Sequence, residues 1–473
     1  MDYQKNLEAF YRRDDFDACT GAFKSDIQTM QFKSLPYIPR RTSVLPGSMA
    51  DVVWENESPV KCGRKETCLY IHIPFCNLSC TYCGFFKDRA QELLVEAYSK
   101  RLITELGLWF HKGIFSNRII KAVFFGGGTP SVLSPQQITK ILAEIRKLAV
   151  LSDDCEITFE SSIFDMDADK FSACLDGGVN RFSFGIQTFN TQVRRSIGRP
   201  DSRETLLLKL QAFARSDARI IIDLIYGLPG QTKQDVLDDL QLAMDAGVAG
   251  LDLYKLQILP ESVLGKMIQE GKKEYLLSSS QLADMFISGA RLLQDKGCSR
   301  LSCCHWGMVP SEESRYNTMV KRGEDIIACG CACGGATGSY KFRKIQGIGS
   351  YMKTVEEHAI PVMVFRKRSE LYPLLERLNG QTDRGILDFA ELQRLHPMQL
   401  EDLLRPVMDK WMADALLEKR NGRYYITLEG SFWYRDIARI LLYMTEIAAF
   451  GEMTEVEKAE QKQFMMLGMN SLK

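Results

Sequence analysis

Three cysteines within one short run carry the most specific chemistry of this sequence. Cys76, Cys80 and Cys83 follow the apolar run Tyr70–Phe75 with the spacing CxxxCxxC. On a tight loop they offer three thiolates to an iron–sulfur cube, whereas such a cluster normally takes four cysteine ligands. One iron is then left without a protein ligand, and metal sites keep such an open position to bind a substrate or a cofactor. A zinc site or plain buried thiols are the alternatives, which this spacing after an apolar strand disfavours.

A glycine-rich turn is the second element with chemical meaning. The run Gly126-Gly127-Gly128-Thr129-Pro130 directly follows the apolar run KAVFF. Glycines there let a ligand approach backbone N–H and C=O groups closely, and a proline fixes the direction of the exit. On its own the motif is a weak signal, because most glycine-rich turns are only turns.

Polar residues recur near the ends of the apolar runs that follow. Glu160 ends one run, and Gln187 and Arg199 lie on or beyond the next. Asp223 lies inside the run IIIDLIYGLPGQT, where a carboxylate is costly to bury unless it is paired or binds a polar ligand. Two interpretations fit this pattern: a ligand site, or a structural ion pair of Arg199 with Asp223 or Glu160.

Hydrophobic periodicity predicts the elements that bring these residues together. Apolar strand-like runs alternate with helix-like segments, which predicts parallel strands with right-handed crossovers. The predicted strands are 69–74, 121–128, 156–162, 180–188, 219–228 and 251–259, and the predicted helices are Glu92–Phe110, Pro135–Leu148, Ala168–Asp176, Arg203–Arg215 and Lys233–Ala246. Polar and glycine residues at the strand ends favour an α/β fold with a partial or complete TIM-type (β/α) barrel, whose active sites lie on the face formed by those ends.

The rest of the chain divides around this barrel, which we place at residues 66–300. Residues 1–65 are polar, show no sustained hydrophobic period and are predicted to be an N-terminal extension that covers the barrel or a substrate. Residues 301–365 form a cysteine- and glycine-rich segment that completes the core at the substrate site. Residues 366–473 combine helices with a hairpin at Asn421-Gly422, which predicts a C-terminal helical, winged-helix-like domain and a tail. The lack of a concentrated basic recognition helix favours a packing or lid role over DNA binding.

Composition limits the cellular compartments and the classes of binding partner that we expect for this protein. The chain has 473 residues, with 60 Lys and Arg against 60 Asp and Glu, so it lacks the basic excess that favours a nucleic-acid or membrane-surface partner. The polar start carries no visible signal peptide, and no apolar run approaches the ~20 residues that a membrane helix needs. We therefore expect a cytoplasmic protein, without a membrane span, whose 14 cysteines stay reduced.

The cysteine triplet and the GGGTP turn together resemble those of radical S-adenosylmethionine (SAM) enzymes. In that family the amino and carboxylate groups of SAM occupy the free iron of a [4Fe–4S] cluster, and an injected electron cleaves SAM to a 5′-deoxyadenosyl radical. Over most of residues 68–450 the chain also resembles the anaerobic coproporphyrinogen III oxidase lineage, through the runs 70–76, 125–130, 180–187 and 223–229. The resemblance implies a cluster on the three cysteines and two SAM molecules, with cofactor contacts from Tyr70, Phe85, Gly127, Gly128, Thr129, Glu160, Gln187, Arg199 and Asp223.

Further segments resemble one branch of this lineage, the anaerobic haem-utilisation enzymes, which are radical SAM methyltransferases. They are 252–254, 305–306, 315–317 and 325–335, while the run Cys83–Phe86 lacks the extra cysteine of the oxidase. The branch implies opening of haem with methyl transfer from SAM, a linear tetrapyrrole product and release of iron. Its implied partners are haem as the substrate and an electron donor such as flavodoxin, ferredoxin or a reductase. A haem-carrying chaperone of the same lineage and an oxygen-independent coproporphyrinogen III oxidase are the alternatives.

The predicted haem contact is His305-Trp306, since an imidazole can ligate iron and an indole can stack on a porphyrin. His305 is accordingly the candidate catalytic residue and axial ligand, with a hydrogen-bonded or proton-transferring histidine as the alternative. His72, on the strand before the cysteine loop, is predicted to be structural. Guanidinium groups suit carboxylates, so either haem propionates or a solvated face explains Arg315, Lys321 and Arg322.

A second cysteine group, Cys329, Cys331 and Cys333, departs from the glycine- and serine-rich loop that the branch has at this point. With Cys303-Cys304 near in sequence, a second metal or redox site is one interpretation. The spacing CxCxC lacks the CxxC bite of iron–sulfur and zinc sites, which favours small residues lining a glycine-rich loop.

Overall fold

Strands and helices alternate along the chain as the periodicity predicts. The structure, a computed structural model, describes residues 3–12, 44–50, 52–53, 65–84, 88–111, 118–275, 277–451 and 454. The strands there are β1 Val44–Pro46, β2 Lys65–Ile73, β3 Phe75–Cys76, β4 Asp88–Arg89, β5 Arg118–Gly127, β6 Leu151–Ser161, β7 Arg181–Gln187, β8 Arg219–Tyr226, β9 Gly250–Lys255, β10 Ser299–Arg300, β11 His305–Gly307, β12 Asp325–Cys329, β13 Gly334–Thr337, β14 Tyr340–Lys344, β15 Val362–Lys367, β16 Ile386–Leu387, β17 Leu417–Arg420 and β18 Arg423–Ile426. The helices are α1 Tyr3–Tyr11, α2 Glu92–His111, α3 Pro135–Leu148, α4 Ala168–Asp176, α5 Thr191–Ser196, α6 Arg203–Phe213, α7 Lys233–Asp245, α8 Val263–Gln269, α9 Ser279–Asp295, α10 Arg315–Lys321, α11 Ile348–Glu356, α12 Tyr372–Arg384, α13 Phe389–Gln393, α14 Leu400–Ala413, α15 Leu428–Ser431 and α16 Tyr434–Phe450.

Most strands join one large open sheet. Its order within the described residues is β1-β15-β14-β13-β12-β2-β5-β6-β7-β8-β9-β11-β10. From β12 to β9 neighbouring strands run parallel. Every residue of β7 is buried, as expected for a parallel strand covered on both faces. Side chains from β5 to β9 reach one common cavity, so the sheet curls as a partial barrel and the predicted α/β class is confirmed.

Three helices that follow strands of the sheet begin at reciprocal capping boxes. The capping pairs are Ser134 with Gln137, Thr232 with Asp235 and Ser278 with Gln281. In each pair the side chains and backbone N–H groups bond to each other, which satisfies donors that a helix start leaves free. The boxes fix the starts of α3, α7 and α9, and the predicted helix Pro135–Leu148 is confirmed at both ends.

The cysteine- and glycine-rich segment is more regular than its composition predicts. Asp325–Cys329 form β12, a further parallel strand beside β2, and β13 to β15 continue the sheet in antiparallel fashion. Asp325 is fully buried at the start of β12 and pairs with Arg118 of β5 at 2.8 Å. The interpretation of Cys329 as a loop residue is therefore wrong, because a run of small and apolar residues suits a strand that is covered on both faces.

The C-terminal part combines helices α12 to α16 with the small sheet β16-β18-β17. Strands β17 and β18 form the hairpin that the sequence predicts. Its turn residues, Asn421 and Gly422, have φ angles of 49° and 76°, the positive values that a tight type I′ turn requires.

The described parts of the N-terminal extension pack against the C-terminal helices and against the edge of the large sheet. Helix α1 buries Leu7 completely, and Asn6 Nδ2 donates a hydrogen bond to the carbonyl oxygen of Ala448 in α16 at 2.9 Å. Strand β1 pairs with β15 at the edge of the large sheet. A helix of nine residues and a strand of three are too short to show a hydrophobic period in the sequence. None of the helices in the described ranges is both long and apolar enough to span a membrane.

Candidate functional site

A cavity of about 490 Å³ opens where the carboxyl ends of β5 to β9 meet the loop after β2. This is the face on which the barrel fold predicts an active site. The cavity brings together most of the predicted site residues, which are Cys76, Cys80, Cys83, Gly127, Gly128, Thr129, Glu160, Gln187, Arg199 and Asp223. Residues far apart in the sequence therefore share one site.

The three cysteines of the triplet are half-buried and lie on one wall of this cavity. Thr81 N donates to the carbonyl oxygen of Ile197 at 3.1 Å, which fastens the loop next to α5. Thr129 Oγ1 lies 3.1 Å from Cys76 Sγ and joins the loop to the glycine turn. Within the described residues no group of three or more His, Cys, Asp or Glu side chains is already gathered as a ligand set. The triplet nevertheless fits an iron–sulfur cluster, because its three thiols form no disulfide, are partly accessible and line the same cavity.

The glycine turn packs directly on the strand that leads to the cysteines. Gly128 N donates to the carbonyl oxygen of Ile73 at 2.7 Å. A Cβ atom on Gly128 would lie 2.5 Å from the carbonyl oxygen of Phe75, and one on Gly127, whose φ is 117°, would lie 2.6 Å from the ring of His72. The close approach explains why glycine stands at both positions, and it sets the backbone of the turn beside the cysteine loop.

His72 has the structural role that its position predicts. Its Nδ1 atom forms a hydrogen bond of 3.1 Å with the hydroxyl group of Tyr70. Burial lowers the pKa of His72 to about 4, so the ring is neutral at physiological pH. Tyr70 itself lies behind the cavity wall, where its ring stacks on Phe124, which does line the cavity.

Gln187 and Arg199, which line the cavity, each carry one buried polar atom without a hydrogen-bond partner. Gln187 has a φ of 71°, rare for a residue other than glycine, and its Oε1 atom is buried without a hydrogen bond. Arg199 donates from Nη1 to the carbonyl oxygen of Gly185 at 2.6 Å and from Nη2 to Tyr82 at 3.3 Å, while its Nε is buried without a partner. An unsatisfied buried polar atom costs free energy, and a strained backbone clusters at ligand sites, so both features indicate a polar ligand here.

Among the residues that the structure describes, the carboxylates of the cavity form no ion pair with Arg199, whose guanidinium contacts Gly185 and Tyr82. Burial raises the pKa of Glu160 to about 7. Burial also raises the pKa of Asp223 well above its ordinary value, and the charges of Asp252 and Glu160 add to that effect. The contacts of Arg199 thus exclude the structural ion pair with Asp223 or Glu160 that was considered from the sequence.

A chain of buried charges, which we call the floor network, lies beneath the cavity and consists of Arg181, Glu312, His305 and Asp252. Arg181 Nη2 lies 2.8 Å from Glu312 Oε1, and that oxygen lies 3.0 Å from His305 Nε2. His305 Nδ1 lies 3.1 Å from Asp252 Oδ2. Arg181 and Asp252 line the cavity at the two ends of the network. Glu312 comes from the loop before α10, so this loop holds both a strand of the barrel and the histidine in place.

The prediction of His305 as a haem ligand conflicts with this geometry. Both ring nitrogens are bonded to carboxylates, and the side chain is buried behind Asp252 rather than in the cavity wall. Burial alone would lower the pKa of His305, but Asp252 and Glu312 outweigh it and raise the pKa to about 9. A doubly protonated imidazole has no lone pair for iron, so His305 is a positioning residue that holds the carboxylate of Asp252.

We expect the contribution of His305 to stability to disappear as the pH rises. In the folded protein the ring keeps its proton up to a pKa of about 9, against 6.5 for an ordinary histidine. Its contribution is thus complete below pH 6.5 and lost as the pH rises through about 9, and linkage sets its size on the order of 3 kcal/mol.

Denaturant unfolding of the wild type and His305→Gln over this pH range measures the effect. The difference in the free energy of unfolding should be largest at the acidic end and shrink at the alkaline end. The exposed His111, at the end of α2, provides the control His111→Gln, which should show no such trend. A constant difference for His305→Gln across the range would contradict the raised pKa.

Several other predicted residues lie elsewhere. Phe85 falls outside the described residues. Arg315 pairs with Asp154 and Glu313, and Lys321 pairs with Asp383, so these two cations already have carboxylate partners. Arg322 is exposed and does not line the cavity.

Burial raises the pKa of the thiols of Cys303, Cys304, Cys329, Cys331 and Cys333. Buried, protonated thiols are poor metal ligands, so the second metal site is not supported.

Sequence reasoning missed residues that only the fold brings to the cavity. Tyr254 and Lys255, at the end of β9, line it, and so does Arg435 from the first turn of α16. The predicted strand 251–259 runs past Tyr254 and Lys255, so the sequence did not mark them as strand-end residues, whereas the observed strand ends at Lys255. Arg435 gives no such signal, because its distance from the barrel in the sequence hides its place in the site.

Comparisons with known proteins agree with this architecture. The family model of the radical SAM superfamily matches residues 70–243. Anaerobilin synthase of Escherichia coli O157:H7 is 30% identical over 429 residues, which cover 90% of this chain and 93% of that protein. The haem chaperone HemW of Escherichia coli K12 is 27% identical over 391 residues, 79% of this chain and 97% of that protein.

Among solved structures, coproporphyrinogen III oxidase (HemN) from Escherichia coli, a radical SAM enzyme, superposes with a TM-score of 0.70. The alignment covers 83% of this chain and 93% of that chain at 21% sequence identity. At this identity the match shows a shared fold, and it agrees with the partial barrel and the helical C-terminal part described above.

Proposed function

Because the chain belongs to the radical SAM superfamily, we propose that it opens haem anaerobically, with methyl transfer from SAM, to a linear tetrapyrrole and free iron. The family implies a [4Fe–4S] cluster and SAM as its cofactors. The single observation that carries the proposal is the cavity, in which three cysteine thiols, a glycine turn and buried polar atoms without hydrogen-bond partners share one space. The relation to anaerobilin synthase over nine-tenths of the chain supports the specific reaction.

The cysteine triplet and the glycine turn bind different cofactors in this proposal. In this proposal Cys76, Cys80 and Cys83 hold the cluster and leave one iron for SAM. When bound, cluster and SAM together supply an organic radical for the attack on the macrocycle. The backbone of Gly127 and Gly128 receives the amino-acid part of SAM.

The polar strand ends complete the cofactor site. Glu160, Gln187, Arg199 and Asp223 offer charges and hydrogen bonds for SAM, and the free Nε of Arg199 and Oε1 of Gln187 are the groups that need a ligand. Two SAM molecules in this space remain the prediction from the resemblance. Flavodoxin, ferredoxin or a reductase remains the predicted electron donor.

We expect Gly128→Ala to weaken SAM binding by about tenfold or more. The added methyl group would meet the carbonyl oxygen of Phe75 at 2.5 Å, so the turn or the strand must shift. Overpacking of this kind costs about 1–3 kcal/mol, and a shifted turn no longer presents its backbone groups to the ligand. Equilibrium binding of SAM to the anaerobically reconstituted protein measures the loss. Gly349→Ala is the matched control, because a Cβ atom there meets nothing within 4 Å and SAM affinity should stay unchanged.

A haem chaperone is the second candidate, supported by the 27% identity to HemW over 79% of this chain. An anaerobic assay with the reconstituted protein, haem, SAM and a reductant separates the two functions. The enzyme should consume the Soret absorbance of haem and SAM together. Intact haem that passes to an acceptor apoprotein would support the chaperone instead and would remove the proposed reaction.

A further inference from the structure

Two cations at the rim of the cavity form no ion pair with a carboxylate in the part of the chain that the structure describes. Lys255 and Arg435 both line the cavity and are exposed. Within the described ranges neither forms an ion pair: Lys255 Nζ lies 4.5 Å from the ring centre of Phe432, and Arg435 Nε donates to the hydroxyl group of Tyr434 at 3.0 Å. The neighbouring carboxylate, Asp436, pairs with Arg439 at 2.7 Å. This separates them from Arg315 and Lys321, whose charges are already matched.

Phe432 brings these two cations together, because Lys255 Nζ lies over its ring and Arg435 follows it in the first turn of α16. Burial lowers the pKa of Lys255, and among nearby charges Arg435 lowers it further while Asp436 raises it. Lys255 ends β9 of the barrel, whereas Arg435 belongs to the first turn of α16. Like charges at close range repel, so an anion between them would lower the electrostatic free energy.

The segment just before Arg435 packs against the barrel. Phe432 is buried and packs against Tyr226 and Phe286 of the barrel, with ring centres 6.4 and 6.1 Å apart. Arg300 donates to the carbonyl oxygen of Ile426 at 2.7 Å and to Ser431 Oγ at 2.8 Å. The C-terminal unit is thereby fixed against the barrel, and Arg435 reaches the cavity from a defined position.

Aromatic and apolar side chains also line the cavity, namely Phe124, Ile225, Tyr254, Leu256 and Leu259. A ligand that suits both features has a flat apolar body and carboxylates at its edge. Guanidinium and ammonium groups at a rim bind such carboxylates, while the apolar wall contacts the ring.

We infer that Arg435 and Lys255 form the site that binds the propionate groups of the tetrapyrrole substrate. The inference rests on the proposed function, because it takes haem as the ligand. It gives the C-terminal unit a direct part in substrate binding, and it replaces Arg315, Lys321 and Arg322 as the propionate partners considered from the sequence. Specificity for a dicarboxylate then depends on both the barrel and α16.

Titration of the reconstituted full-length protein with haem and with haem dimethyl ester, followed by the Soret absorbance, tests this inference. The ester has the same ring and iron but no propionate charge. The wild type should prefer haem, and Arg435→Gln and Lys255→Gln should each weaken haem binding by about tenfold to a hundredfold while ester binding stays the same. Arg291→Gln, which removes an exposed pair with Glu429, and Arg315→Gln should keep the wild-type preference.

The outcomes separate this inference from the proposed function. A variant that keeps wild-type haem affinity, or that weakens haem and ester equally, would overturn the propionate site while haem binding by the wild type stands. A wild type that binds neither ligand would overturn the proposed function and the propionate site together. The result that supports the site is a loss of the preference for haem over its dimethyl ester in Arg435→Gln and Lys255→Gln, but not in the two control variants, with the affinity for the ester unchanged.

Discussion

A Cys80→Ala variant is expected to lose both the iron–sulfur absorbance and all cleavage of SAM. In the proposed site Cys80 is the central thiol of a triplet that would give the cluster one ligand fewer than usual. In the variant only two thiolates of this half-buried loop could bind the cluster, and two protein ligands are too few to retain it. The visible absorbance, the iron content and the formation of 5′-deoxyadenosine after anaerobic reconstitution measure the loss directly.

The control for this variant is Cys298→Ala. Cys298 is also half-buried, but it lies outside the cavity, so the variant should keep its cluster and cleave SAM like the wild type. A Cys80→Ala protein with the wild-type iron content and SAM cleavage would show that the triplet does not hold the cluster.

Glu312→Gln is expected to cost about 3–5 kcal/mol of stability, because it removes the carboxylate that balances buried cations. Arg181 and His305 contact this carboxylate at 2.8 and 3.0 Å, and Arg219 lies 3.8 Å from it. Arg181 is 2% exposed, so water cannot solvate its charge when the ion pair with Glu312 is broken. The free energy of denaturant unfolding, compared between wild type and variant, gives the size of the effect.

The next residue in the chain supplies the matched control. Glu313 pairs with Arg315 at 2.6 Å, but its side chain is more than half exposed. Exposed pairs contribute about 0–1 kcal/mol, so Glu313→Gln should change stability little. Equal, small losses for both variants would contradict the floor network as a buried structural element.

Local sequence signals predict the barrel well because each of its helices and strands has a recognisable sequence pattern. Capping residues such as Ser134 mark helix starts, and apolar runs such as the one around Asp223 mark buried strands. The site residues at strand ends follow from the barrel itself, since parallel strands place their carboxyl ends on one face. This reasoning reached the cysteine loop, the glycine turn and the polar strand ends that line the cavity.

Contacts between distant segments are the part that the sequence does not predict. The partners Arg181 and Glu312 are 131 residues apart, and neither has a local pattern that points to the other. A histidine next to a tryptophan suggests a haem contact, but the carboxylates of Asp252 and Glu312 that saturate His305 come from other elements. Arg435 reaches the cavity only because Phe432 docks on the barrel, so its role depends on tertiary packing.

Transfer of a labelled methyl group tests the proposed function most directly. Anaerobically reconstituted protein would be incubated with haem, a reductant and SAM that carries a deuterated methyl group, and the pigments would be analysed by mass spectrometry. The proposed reaction predicts a linear tetrapyrrole that contains the label, together with free iron. Haem recovered intact and unlabelled from a protein with a complete cluster would contradict it.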